Sequence, residues 1–150
     1  MVFQNQGGTY AAMAQSSPLT GVRQGTVALA DYDLDGDLDL MVVGSDSSGN
    51  GSSKLYVNAG VGAFTDSGLT FVNVDTATAT WADLDGDGDS DLVLSGTTTT
   101  RVLRLYRNTT VEGVKTLVDA ATLTGVNSLA RVPSAAYGQS AVVVQLSPPR

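Results

Sequence analysis

An all-β chain of four-stranded repeats is predicted by three features of the sequence. Short runs rich in Val, Thr, Leu and Tyr alternate with clusters of Gly, Ser, Asn and Asp, the pattern of strands joined by hairpins. These runs recur with a period of roughly 50 residues, a length that marks propellers, solenoids or arrays. No stretch sustains a 3.6-residue apolar period bounded by caps, so helix is expected to be minor.

The elements follow in order. Val2-Phe3-Gln4-Asn5, the Gly7-Gly8 turn and Thr9-Tyr10 predict strands near 1–5 and 9–13, the second half of a unit. A first complete unit has strands near 25–31, 38–44, 53–58 and 63–66. Its third strand carries Leu55-Tyr56-Val57-Asn58 and its fourth Ala63-Phe64-Thr65. A second has strands near 77–83, 90–96, 101–108 and 114–118, with Leu105-Tyr106-Arg107-Asn108 in the third place. Two more strands are expected near 127–135 and 139–146. A linking phrase recurs as Leu19-Thr20-Gly21-Val22, Leu69-Thr70-Phe71-Val72 and Leu123-Thr124-Gly125-Val126. The expected division is therefore 1–22 (a second half-unit), 23–72, 73–122, and 123–150 (a first half-unit), about three units in all.

Between the first two strands of each complete unit lies an acidic nonapeptide. The copies are Asp31-Tyr32-Asp33-Leu34-Asp35-Gly36-Asp37-Leu38-Asp39 and Asp83-Leu84-Asp85-Gly86-Asp87-Gly88-Asp89-Ser90-Asp91. Aspartate occupies positions 1, 3, 5, 7 and 9 in both, and glycine position 6. Carboxylates at this density repel one another unless a hard cation neutralises them, and oxygen-only ligands suit Ca2+. Side chains at positions 1, 3 and 5 turn toward one centre, glycine permits the bend, position 7 offers its carbonyl and position 9 closes the shell. The carboxylate ligands expected are Asp31, Asp33, Asp35 and Asp39 in one loop, and Asp83, Asp85, Asp87 and Asp91 in the other. Asp37 and Asp89 are expected to contribute carbonyls. Two Ca2+ ions per chain are predicted, because a short turn, Tyr137-Gly138-Gln139-Ser140, stands where a third loop would fall. An EF-hand shares the opening of the motif but needs a bidentate Glu at position 12, where Val42 and Leu94 stand in strand-like runs.

Composition narrows the function. Of 15 acidic residues ten lie in the nonapeptides, leaving five acidic against eight basic elsewhere, so the net charge of −7 is local. Two bound Ca2+ ions would bring it to −3. No basic stripe interleaved with aromatics points to nucleic acid, and no apolar run reaches the roughly 18 residues of a membrane span. The first residues show neither a charged n-region nor an apolar h-region, so no signal peptide is expected there. Histidine and cysteine are absent and Glu112 is the one glutamate. With most aspartates assigned to metal, neither a nucleophile–base couple nor a free carboxylate pair is evident, and the chain is not expected to be an enzyme. Trp81, Tyr32, Tyr56, Tyr106, Phe3 and Phe64 are expected to pack between units rather than to form a sugar-stacking platform. Asn5, Asn58 and Asn108 precede turns. Of the two Asn-x-Ser/Thr triplets, at Asn50 and Asn108, Asn50 is expected to be the exposed one.

The motif Asp-x-Asp-x-Asp-Gly-Asp-x-Asp, preceded by Leu29-Ala30 or Trp81-Ala82 and followed by a Leu-Tyr-x-Asn strand, resembles the FG-GAP/VCBS repeats. The resemblance spans essentially the whole chain. It implies blades of a β-propeller like that of integrin α chains, each metal loop linking the first two strands of a blade. It also implies an extracellular or cell-surface setting and binding to a protein or glycan. The alternatives are a non-catalytic portion of a secreted carbohydrate-active enzyme, or a structural self-assembling propeller unit. Propellers close with about four to eight blades, so three equivalents suggest a longer propeller or a homo-oligomer, two chains giving six blades.

Overall fold

The computed structural model describes residues 1–15, 17–60, 62–110 and 117–124, and these form ten β-strands and no helix. The strands expected near 127–135 and 139–146, and the turn between them, lie outside the described residues. All pairings are antiparallel and fall into three sheets. Strands β1 (Val2–Gln6) and β2 (Thr9–Met13) make a two-stranded hairpin turned by Gly7 and Gly8, both at positive φ. Strands β3 (Arg23–Ala30), β4 (Asp39–Ser45), β5 (Gly51–Asn58) and β6 (Phe64–Asp66) make a four-stranded meander. A second meander follows, of β7 (Asp75–Ala82), β8 (Asp91–Thr97), β9 (Arg101–Asn108) and β10 (Leu117–Thr124).

The two meanders repeat each other in register. Ala30 pairs with Asp39 and Ala82 with Asp91, while Leu40 pairs with Tyr56 and Leu92 with Tyr106. The 52-residue offset holds up to the β4–β5 turn, where Ser45–Gly51 becomes the tighter Thr97–Arg101, and is 50 thereafter. Local irregularities repeat as well. The first strand of each meander breaks its ladder between Arg23 and Thr26, and between Asp75 and Thr78. Within the breaks Gln24 and Thr76 stand at φ 51° and 44°, so both copies use the same twisted bulge. Gly44 and Gly96 sit at equivalent places because the chain entering the meander crosses them. A Cβ on Gly44 would lie 2.8 Å from the Arg23 carbonyl oxygen, and one on Gly96 2.8 Å from that of Asp75.

Alternation of side chains puts two different faces on each sheet. Met41, Val43 and Leu55 of the first meander meet Ala77, Ala79, Leu92, Leu94 and Tyr106 of the second in the largest core, with Tyr32, Phe71 and Val74. Phe71 stacks edge-on to Tyr106, centroids 5.1 Å apart. The opposite face of the first meander buries Val42, Tyr56 and Phe64 against Val2, Leu19 and Val22. The far face of the second buries Val93, Leu103 and Leu105. One face of each sheet thus packs on the unlike face of the next. Polar links pin the junction: the Thr26 hydroxyl donates to the Ala77 carbonyl at 3.2 Å, and the Ser53 N–H to Asn73 Oδ1 at 3.1 Å.

The linking phrases are held by tyrosines of the third strands. Thr20 N–H and Val72 N–H each donate to a tyrosine hydroxyl, of Tyr56 and Tyr106, at 2.9 Å. The third copy behaves differently. The strand expected near 114–118 runs instead from Leu117 to Thr124, taking in Leu123-Thr124 and pairing along β9 from Asn108 to Val102 with one bulge between Asp119 and Ala121.

Among the aromatics, Tyr32, Tyr56, Phe64 and Tyr106 are buried and Trp81 half-buried, whereas Phe3 is exposed, as is Tyr10. Asn108 is wholly buried, while Asn50 is exposed.

Candidate metal centres

Each acidic nonapeptide is the bend between the first two strands of a meander, β3–β4 and β7–β8. Backbone geometry shapes it. Gly36 and Gly88, at position 6, have φ of 93° and 96°. Position 4 is left-handed too, Leu34 at 63° and Gly86 at 82°. Sequence reading missed this requirement, although glycine at that place in one copy was the signal for it. Leu34 is exposed and carries the αL penalty of about 1–2 kcal/mol for ordinary side chains. Leu34→Asn is therefore expected to stabilise the protein by about 0.5–1 kcal/mol, read as a higher urea midpoint with unchanged slope.

Within the bends the carboxylates organise the backbone. Asp31 accepts from the N–H groups of Asp35 (3.1 Å) and Gly36 (3.0 Å). Asp83 accepts from Gly86 (2.7 Å) and Gly88 (3.1 Å). Asp35 and Asp87 accept from the N–H at position 7, Asp37 and Asp89, both at 3.0 Å. Position 9 is a clasp. The Asp39 carboxylate takes the Tyr32 N–H at one oxygen (3.1 Å) and the Asn58 N–H at the other (2.8 Å). Asp91 does the same for Leu84 (2.8 Å) and Asn108 (2.7 Å). Both clasps are buried, so each fastens its bend to the third strand from inside. The asparagines add turn bonds: Asn58 Oδ1 accepts from Gly60 and Gly62, and Asn108 Oδ1 from Thr110.

Three carboxylates converge in each bend. Asp31, Asp33 and Asp39 each offer an oxygen within 4.8 Å of the others, as do Asp83, Asp85 and Asp91. That spacing fits a sphere of about 2.4 Å radius, the reach of a hard cation to oxygen. Two groups of three aspartates can therefore hold a metal ion. Asp35, Asp37, Asp87 and Asp89 lie outside these groups. Asp37 instead approaches the Asn58–Gly62 turn, where a Cβ on Gly60 would meet its Oδ2 at 2.8 Å.

Crowding shows in the electrostatics. Burial, opposed by the two clasped N–H groups, and then the charges of Asp33 and Asp35 push the Asp39 carboxyl up to about 6. The Asp89 carboxyl is raised by partial desolvation and by Asp87, Asp83, Asp85 and Asp91. The bends also differ. Arg107, in β9, forms an ion pair with Asp85, while the equivalent place in β5 is Val57. The first bend is shielded by its neighbour: Tyr32 is buried in the core between meanders, and Asn108 Nδ2 donates to its carbonyl at 2.7 Å. Leu84, the counterpart of Tyr32, is more than one-third exposed.

No family model, curated protein or solved structure matches this chain.

Proposed function

We propose that the chain is a set of Ca2+-stabilised β-propeller blades of the FG-GAP/VCBS kind, acting without catalysis as an extracellular module that binds a protein or glycan. One observation carries the proposal. Two acidic bends, equivalent in register, each bring the carboxylates of positions 1, 3 and 9 within 4.8 Å of one another. Opposition of that sort costs free energy unless a cation sits among the oxygens, and the all-oxygen donor set suits Ca2+ over softer metals. Asp35 and Asp87, with the carbonyls of Asp37 and Asp89, complete each shell. The face-to-unlike-face packing of the meanders supports the propeller reading, since it is the arrangement that rotation about a ring repeats. Ca2+ here stiffens hairpins rather than activating water, because a shell filled by protein ligands leaves no open position.

Isothermal titration of the metal-free chain with Ca2+ is expected to give two ions per chain, and one in Asp35→Ala or Asp87→Ala. Absence of binding at millimolar Ca2+ overturns the reading. The two sites are expected to fill in order. Calcium at the second bend must displace Arg107 from Asp85, so the first bend fills at lower Ca2+. Arg107→Val is expected to tighten the weaker site about two- to fivefold, the value of an exposed ion pair. Equal affinities in the unmodified chain would rule out this role for Arg107.

A further inference from the structure

Four of the five asparagines among the described residues have their side chains tied down. Asn5 Oδ1 accepts the Gly8 N–H, Asn58 Oδ1 those of Gly60 and Gly62, Asn73 Oδ1 that of Ser53, and Asn108 Oδ1 that of Thr110. Asn50 differs. It is exposed, and its carboxamide makes no hydrogen bond among the described residues. It is also the one asparagine in the sequence that is followed by glycine.

The main chain around Asn50 is held on one side only. Its carbonyl accepts the Asp46 N–H at 2.8 Å, and its own N–H donates to Asp46 Oδ1 at 2.9 Å, which closes the turn between β4 and β5. Narrow and wide pairs alternate along an antiparallel ladder, so the next pair, Ser45 with Gly51, is a wide one. The Gly51 N–H therefore points away from β4 and stays outside the ladder. A Cβ at this place would lie 2.7 Å from the Val74 carbonyl carbon, so packing against the linker demands glycine. The fold thus sets a main-chain nitrogen without a shielding side chain next to a carboxamide that turns freely.

We propose that Asn50 is a site of spontaneous deamidation, and that one of its products loosens the seam between the meanders. The Gly51 nitrogen gives its proton to solvent base and attacks Asn50 Cγ. A C–N bond forms there, and the bond to the side-chain nitrogen breaks, releasing ammonia. Attack within one chain spares the entropy of bringing two molecules together. Water then opens the cyclic imide at either carbonyl. One opening leaves an aspartyl residue, and the other an isoaspartyl residue whose main chain runs through the former side chain. Either product adds a negative charge beside Asp46, in a chain already at −7. The isoaspartyl form also inserts a methylene just before β5. There the Ser52 N–H donates to the Val74 carbonyl at 3.3 Å and the Ser53 N–H to Asn73 Oδ1 at 3.1 Å. Val74 is wholly buried in the core that both meanders share, so a longer chain at this point strains their junction.

Incubation of the folded protein in Ca2+, digestion and tandem mass spectrometry test the proposal. The peptide containing Asn50 is expected to gain about one mass unit at that residue and to separate into two forms. The gain should be faster at pH 9 than at pH 6, and as fast in the folded chain as in urea. Peptides with Asn5, Asn58, Asn73 and Asn108 are expected to keep their mass in the folded chain. Asn50→Gln, an exposed change that would have to close a larger ring, is expected to fold and to keep its mass. Of the two products, the isoaspartyl form is expected to melt at the lower temperature. Three results each overturn the site: an unchanged Asn50 peptide, a folded-state reaction slower than in urea by an order of magnitude, or equal gain at the other four asparagines. Equal melting of the two products overturns the effect on the seam.

Discussion

Removing Ca2+ is expected to lower the melting temperature by about 10–20 °C. An ion that binds only the folded chain contributes about 2.7 kcal/mol per site at a hundredfold excess over its Kd, hence about 5 kcal/mol for two. For a chain of this length 1 kcal/mol moves the midpoint by about 2–4 °C. The fall follows from the bends themselves, since an ion-free bend holds three carboxylates within 4.8 Å. Asp35→Ala and Asp87→Ala are each expected to abolish about half of the difference between Ca2+ and chelator while leaving the chelator value nearly unchanged, because both side chains are exposed. Scanning calorimetry in the two media checks this. Coincident curves would remove the metal from the stability of the fold.

Asp39→Ala is expected to be more damaging, by about 3 kcal/mol or more in Ca2+, and its effect should depend on medium and pH. The substitution deletes a ligand and leaves the N–H groups of Tyr32 and Asn58 without their charged acceptor inside the protein. In chelator the loss should be smaller, because the same substitution relieves a buried anion. The sign with pH follows from the carboxyl, whose value of about 6 in the metal-free fold exceeds the ordinary 3.8. A folded-state value above the unfolded one means that the native chain holds the proton more tightly. This contribution is full below pH 4 and declines as pH rises to 6. In chelator, the wild-type advantage over Asp39→Ala should therefore grow on moving from pH 7 to pH 5. In Ca2+ protons compete with the ion, and the metal's contribution should shrink over the same interval. Denaturant melts at both pH values check it. An equal loss under all four conditions would make Asp39 a clasp and nothing more.

Much of the local architecture was legible in the chain. Asp39-Leu40-Met41-Val42-Val43 and Leu55-Tyr56-Val57-Asn58 read as strands because apolar runs end at turn residues, and the nonapeptides mark the bends by their own chemistry. What was not legible depends on distant parts of the chain. Gln24 and Thr76 give no local sign of a bulge, since it is set by where the entering chain must cross Gly44 and Gly96. The dual use of position 9 was hidden for the same reason: Asp39 and Asp91 look like ligands alone until the third strand is laid beside them. Leu123-Thr124 matched two linkers yet forms strand, paired with Leu103 and Val102 of β9, a contact between elements that a local phrase does not encode. The Tyr32 carbonyl finds its donor in Asn108, 76 residues away.

That last bond changes how the molecule should come apart. Arrays of repeats commonly peel from an end, each unit opening at its own free energy. Here the carbonyl of one bend is gripped by an amide from the following sheet, and the same asparagine's main chain is gripped by the next bend's carboxylate. Fraying of β9 would loosen both cages together, so ion release at either should be felt at the other, and the pair should melt as one body rather than in sequence.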